Sequence, residues 1–424
     1  MADAPALHRA LVDALVRRGA ITDSRVEAAF RAVPRHLFLP RVPLEEVYRD
    51  QAIPTKTING EAVSSSSQPE IMATMLEQLG LEPGLRVLEI GAGTGYNAAL
   101  MAHVVGETGT LVTMDIDDDI VDGARAHLAA AGLSRVRVVL GDGGLGYPAD
   151  APYDRIILTV GAWDVAPAWW AQLRPGGRLV LPLTVGGSQK TVAFVSAGDH
   201  LVSASIKDCV FMRLRGAFAG PPTRVALGDT PDLHLYVRDP ARIDPVAAYA
   251  LFTGPPVDVP TGIHVIGHEV YGGLILWIAL REPGFCWLEA LGPTADMQPV
   301  PLLFALPGKF RSAAGVFDGA SAGLCMRPPG DSVPASAEPE PRSFELHIRS
   351  FGEDGDTGWR LREHARAWAG AGRPGAAGLR IRALPIDVGY TPGAHEQVVE
   401  KRWSRLVLDW PAQTGRDGSR WVSR

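Results

Sequence analysis

The feature that most constrains the fold is the run Val87-Leu88-Glu89-Ile90-Gly91-Ala92-Gly93-Thr94-Gly95. An apolar strand leads directly into Gly-x-Gly-x-Gly, and residues 96–105 follow with helical character. Glycines at such a junction let the backbone turn tightly and approach a ligand, while the start of the next helix offers free N–H groups. A dinucleotide loop reads Gly-x-Gly-x-x-Gly, and this chain has Tyr96 where the last glycine belongs. The spacing suits a nucleoside with a small polar tail better than a pyrophosphate.

The strand–helix pattern then repeats. Residues 110–115, 135–140, 154–160 and 178–183 read as strands, with helices at 119–131 and 165–173. Short connections between alternating elements predict an α/β, doubly wound, mostly parallel seven-stranded sheet of Rossmann-like type. Residues 191–196 and 202–214 close it as an antiparallel edge. Helices are predicted ahead of the sheet at 6–16, 23–32 and 69–79, the last with Pro69 where a missing N–H costs nothing. At 424 residues, with 46% hydrophobic and 21% charged, the chain is globular and too long for one ordinary domain. The expected division is an α/β unit at 1–218, a Gly/Pro/Thr-rich linker at 219–233, and an α+β unit at 234–424. That second part holds seven of the ten tryptophans, so it must build its own core. Strand-like runs are predicted there at 263–270, 274–280, 300–306 and 343–348, a Pro/Ser/Glu-rich loop at 327–341 and a helix at 359–368.

Charge and cysteine usage exclude several functions. A formal charge of −6 provides no basic field for a nucleic-acid backbone. Cys209, Cys286 and Cys325 match neither a disulfide framework nor a zinc pattern, which predicts a reducing, cytoplasmic compartment. The first 19 residues alternate charge with apolar positions, unlike a signal peptide. No apolar run reaches the roughly 18 residues a membrane span needs. His264 and His268, with Glu269, have an i, i+4 spacing, but in a β-like stretch containing Gly267, so no metal site is expected. Trp163, Trp169 and Trp170 read as packing rather than as a stacking platform.

Two further acids follow strand ends. Asp115, with Ile116 beside it, closes the second strand twenty residues after Gly95, where doubly wound folds put a carboxylate against ribose hydroxyls. Asp117 and Asp118 read as caps of the next helix. Gly141-Asp142-Gly143 follows the third strand; Asp142 is placed to accept from an exocyclic amine, with the Gly143 amide near a ring nitrogen. Ligands in this architecture lie outside the carboxyl ends of the strands. Glu89, Gly91, Gly93, Gly95, Asp115, Ile116, Asp142 and Gly143 are therefore expected around S-adenosylmethionine, which a methyl transfer would leave as S-adenosylhomocysteine.

The segments Phe30–Phe38 (with Val33-Pro34-Arg35-His36), the serine run, Glu89–Tyr96, Gly141-Asp142-Gly143, Pro152-Tyr153-Asp154 and Leu173–Gly177 together resemble protein-L-isoaspartate O-methyltransferase. The resemblance covers roughly residues 5–215. It places a reaction-centre serine at Ser67, with Ser65 and Ser66 as further acceptor-side hydroxyls and Ser64 and Gln68 toward the cofactor. The family's Thr-Ile-Ser-Ala-Pro-His-Met becomes Ser65-Ser66-Ser67-Gln68-Pro69-Glu70-Ile71 here, so its Ala is Gln68 and its His is Glu70. With the long C-terminal extension, these departures resemble a subgroup that methylates an aspartate of a cyclised lanthipeptide or graspetide precursor, leading to aspartimide and isoaspartate. The resemblance thus implies a peptide or protein partner bearing aspartate or isoaspartate. General repair of isoaspartyl proteins is the alternative. A small-molecule methyltransferase and a non-catalytic peptide-binding module stand further off.

Overall fold

The structure, a computed structural model, describes residues 3–410 apart from 59, 230–231, 294, 298, 307, 332–341 and 353–355. Most of the predicted 327–341 loop therefore lies outside the described residues. Two helices, Ala4–Arg17 and Ser24–Ala32, open the chain. Asp23 caps the second by accepting from the Arg25 amide at 2.7 Å. A hairpin follows, β1 (Ile53–Ile58) and β2 (Glu61–Ser66). The serine run thus begins as strand, with residues 64–66 ending β2 and Ser67 following it.

The helix Pro69–Leu79 starts with proline and stops at Gly80, whose φ of 61° is left-handed. The large sheet is then laid down: β3 (Arg86–Ile90), β4 (Thr110–Asp115), β5 (Arg137–Leu140), β6 (Tyr153–Leu158), β7 (Leu173–Val185), β8 (Ser188–Ser196) and β9 (Leu201–Asp208). β3 to β7 pair in parallel, and β8 and β9 are antiparallel. Strand β9 ends at Asp208, so the predicted strand 202–214 stops early. Residues beyond it run extended beside Gly161 through Gly161 N–H to Met212 O (2.6 Å) and Leu214 N–H to Gly161 O (2.8 Å).

The second sheet is antiparallel: β10 (Arg224–Ala226), β11 (Leu233–Tyr236), β12 (Val257–Val265), β13 (Phe285–Leu291), β14 (Phe304–Leu306), β15 (Phe310–Phe317), β16 (Ala322–Met326) and β17 (Phe344–Phe351). The predicted linker therefore already carries one strand. Residues 274–280 are helical rather than strand-like. They belong to a helical run from Gly267 to Arg281 with a π-helical turn at Val270–Leu274. Ile275 and Ile278 pack into the second sheet's core while Leu276 packs against the first, so burial on two sides erased the amphipathic period that marks a helix.

The expected unit at 234–424 needs correction. After the helix Asp356–Gly370, strands β18 (Arg380–Pro385), β19 (Gln397–Glu400) and β20 (Ser404–Asp409) leave the second sheet and extend the first. The register Arg382↔Val202 and Ala383↔Leu201 joins β18 to β9. The first sheet thus has ten strands in the order β19-β20-β18-β9-β8-β7-β6-β3-β4-β5. The physical reason is the open edge of β9, whose unpaired backbone groups are covered by pairing. Ile381, Ala383, Leu406 and Leu408 are fully buried in the same core as β6 and β7. Among the described residues no helix is long and apolar enough to cross a membrane.

Because Ile381 is buried in the first sheet's core, Ile381→Ala should destabilise that sheet by about 2–5 kcal/mol. Urea melts followed by S-adenosylmethionine protection would show it; an unaltered midpoint would detach β18–β20 from the sheet.

Candidate active site

Outside the carboxyl ends of β3 and β4 lies a cavity of about 690 Å³. Its floor is the loop after β3, where Gly91 (φ 102°) and Gly93 (φ 51°) hold conformations that side chains resist. A Cβ on Gly91 would overlap the Thr159 hydroxyl, which donates to Gly91 O at 2.6 Å. Asp115 forms the next wall. Its carboxylate accepts from Gly93 N–H (3.2 Å) and Ile116 N–H (2.9 Å), and burial raises its pKa from the ordinary carboxylate value. The remaining lone pairs point to a site for hydroxyl donors.

The serine segment borders the glycine loop, where a Cβ on Gly93 would come within 3.5 Å of Ser65 O. Ser64, Ser65, Ser67 and Gln68 line the cavity together with Gly91, Gly93, Asp115, Ile116 and Gly143. Ser66 does not; it is 3% exposed, and Arg35 donates to its hydroxyl at 3.3 Å. The Arg35 guanidinium, fully buried, also donates to the carbonyls of Val47 (2.7 Å), Arg49 (3.3 Å), Gln51 (3.2 Å), Ser66 (3.3 Å) and Ser67 (3.0 Å). Burial lowers its pKa. The motif containing Arg35 stood out in the sequence, but nothing there showed that it holds the serines.

Three of the expected cofactor residues lie elsewhere. Glu89 is fully buried behind the loop, accepting from Asn97 (2.7 Å) and Thr113 (2.6 Å). It braces the strand–loop–helix junction instead of facing the cavity, because its side chain alternates away from the face that Ile90 presents. Gly95 caps the helix Tyr96–Val105 at φ 86° and packs beneath Ala124 and Leu128. Asp142 has both oxygens engaged, by Gly144 N–H (2.9 Å) and Ala217 N–H (2.7 Å), so it shapes a turn here. Asp117 is a further correction: it makes no side-chain cap bond, since Arg215 (2.7 Å) and Lys56 (3.0 Å) hold its carboxylate. Trp169 is buried and donates to Gly143 O at 2.8 Å, a packing role. His264 lies on β12 and His268 in the turn Gly267–Glu269, so the pair does not share a helix face.

The far wall was missed in the sequence. It consists of residues 208–215 together with Tyr271 from the second sheet's helical run. No motif marks these residues, since their placement depends on how the two sheets meet.

Strand ends, a positive-φ glycine loop and an acid after the second strand define a class I S-adenosylmethionine-dependent methyltransferase. The sequence profile of the protein-L-isoaspartate(D-aspartate) O-methyltransferase family matches residues 6–217, half of the chain, and the chain belongs to that family. A Thermotoga maritima protein-L-isoaspartate O-methyltransferase is 40% identical over 182 residues, 43% of this chain and 57% of the relative's length. The enzyme of that name from Hyperthermus butylicus is 38% identical over 219 residues, 50% of this chain and 89% of its own. A solved protein-L-isoaspartate O-methyltransferase overlays with a TM-score of 0.49 at 22% identity, covering 94% of this chain and 98% of that one. A Plasmodium falciparum structure solved in complex with S-adenosyl-L-homocysteine overlays with a TM-score of 0.44 at 18% identity, covering 49% and 98%.

Burial raises the Glu89 pKa to about 7 from an ordinary 4.5. The folded protein therefore holds a proton that the unfolded chain releases, and stability present below about 4.5 should decline as pH rises through about 7. Glu89→Gln should flatten that slope in denaturation curves; an identical slope would show that Glu89 is ionised throughout.

Proposed function

We propose that the protein methylates the free carboxylate of an isoaspartyl residue in a polypeptide. The observation that carries this reading is the placement of Ser65 and Ser67 on one wall of the cavity whose other walls are Gly91, Gly93 and Asp115. S-adenosylmethionine, when bound, supplies an electrophilic methyl group on a sulfonium. The cavity volume suits a ligand of that size, and the glycine loop leaves its backbone free of side chains.

A carboxylate with a pKa near ~4 is ionised at neutral pH, so the chain need not remove a proton. Its task is alignment and exclusion of water. Ser65 and Ser67 offer hydroxyl donors that orient a carboxylate without the strong charge stabilisation a lysine would add. Asp115 is suited to ribose hydroxyls, and Ser64 and Gln68 line the same cavity. Once esterified, the carboxyl carries a methanol leaving group, and the following backbone nitrogen closes a succinimide without further help from the protein.

The relatives' names favour this acceptor over the cyclised peptide of a biosynthetic pathway. The narrower acceptor, an aspartate in a constrained ribosomal peptide, is a second reading. Tyr271 supports it, since a residue from beyond the family-matched segment reaches the cavity. Mass spectrometry with a linear isoaspartyl peptide and a macrocyclised aspartyl peptide decides between them through which one gains 14 Da and then loses methanol.

Two substitutions test the halves of the cavity separately. Asp115→Ala should weaken S-adenosylmethionine binding at least ~10-fold by calorimetry, in line with the loss of hydrogen bonds to a charged partner. Unchanged affinity would move the cofactor. Ser67→Ala should leave that affinity nearly intact and lower turnover on the isoaspartyl peptide; full turnover would place the acceptor elsewhere.

A further inference from the structure

The second sheet's helical run meets the first sheet at a polar junction beside the cavity. Lys190 is fully buried on β8, forms an ion pair with Asp208 at the end of β9, and lies 5.2 Å from the centroid of the Tyr271 ring. The Tyr271 hydroxyl donates to Cys209 O at 3.1 Å. Its neighbour Gly272 has no Cβ, and one there would overlap the Asp208 carboxylate. Both contacts come from the π-helical turn Val270–Leu274, a local departure from α-helix of the sort that re-aims side chains at functional sites.

The residues gripped at this junction begin the far wall of the cavity. Gln189 continues the grip: its side chain accepts from Phe211 N–H (2.6 Å) and donates to Phe211 O (3.1 Å). Residues 209–212 are thereby fixed from two directions, by β8 and by the second sheet, and Val210 and Met212 line the same cavity as Ser65 and Ser67.

We infer that Tyr271 is a positioning residue for the methyl acceptor. Its hydroxyl holds Cys209 and so sets the wall against which the acceptor peptide lies, while the glycine loop and Asp115 hold the cofactor independently. The second sheet therefore enters the reaction through acceptor geometry and not through cofactor affinity. This rests on the isoaspartyl reading above.

The test uses the full chain, a synthetic isoaspartyl peptide and S-adenosylmethionine. Tyr271→Phe removes the donor while keeping the ring and should raise KM for the peptide about 5-fold, the change expected for losing one hydrogen bond to a buried carbonyl. Cofactor Kd should stay within about 2-fold, because the hydroxyl removed bonds to Cys209 O and not to the glycine loop. Gly272→Ala displaces Asp208 with Tyr271 intact and should reproduce the KM defect. Tyr271→Ala should be worse than Tyr271→Phe, which retains the packing over Lys190. An unchanged peptide KM in Tyr271→Phe and Gly272→Ala, or a cofactor Kd that worsens as much as KM, overturns the inference. Failure of the unmodified protein to methylate the peptide despite binding cofactor overturns the acceptor assignment instead, and this inference with it.

Discussion

The site depends on one buried cation. The Arg35 guanidinium is removed from water without a carboxylate in hydrogen-bond contact, a placement that costs several kcal/mol unless its donors are satisfied. Five main-chain carbonyls engage its two terminal nitrogens, leaving only Nε without a partner, and they come from two stretches of chain, 47–51 and 66–67. A planar fork of fixed geometry suits this work better than an ammonium, because it addresses several oxygens in one plane. Arg35 thereby converts the end of β2 and the start of the helix Pro69–Leu79 into a fixed wall. Without that clamp the four serines would be a polar strand end with few reasons to keep one conformation.

The opposite wall is fixed by a second buried cation, Lys190, with Asp208 as its counter-ion. Burial lowers the Lys190 pKa, and the adjacent Asp208 works against that shift. Here the pair marks where the second sheet docks, since Gly272 and Tyr271 close over it. The indole of Trp287 adds a further tie, donating to Gly187 O at 2.9 Å in the turn between β7 and β8. The two walls of the cavity are thus built by different means: one by an arginine reading carbonyls within the first unit, the other by contact between two sheets.

This division explains how much of the protein was legible in the sequence. Strands β3, β4 and β6, the glycine loop and Asp115 were legible because each is encoded locally, by an apolar run followed by glycine or acid at a strand end. Glu89 and Asp142 belong to the same local patterns yet turn away from the cavity, since a motif specifies where a residue lies along a strand and not which polar neighbours claim its oxygens. Residues 274–280 were read as a strand because burial on two faces removes the helical period. The return of β18–β20 to the first sheet left no local trace at all. Edge pairing between Leu201 and Ala383 is a property of two distant segments with matching exposed edges, and period and composition do not record it.

The cofactor end of the cavity shows the same dependence on distant segments, in ionic form. Asp117 follows Asp115 by two residues, and its carboxylate is shared between Lys56 on β1 and Arg215 beyond β9. Arg215 is the main reason its pKa is lowered, with Lys56 adding to the effect. An acid expected to cap its own helix instead ties the serine hairpin to the far wall. The helix Asp118–Ala130 still begins with two acids in its first turn, so the dipole at its N-terminus is served without Asp117. That redundancy leaves Asp117 available for the cross-tie. The three segments around the cavity, β1–β2, the end of β4 and residues 208–215, therefore meet at a single carboxylate beside the one suited to ribose.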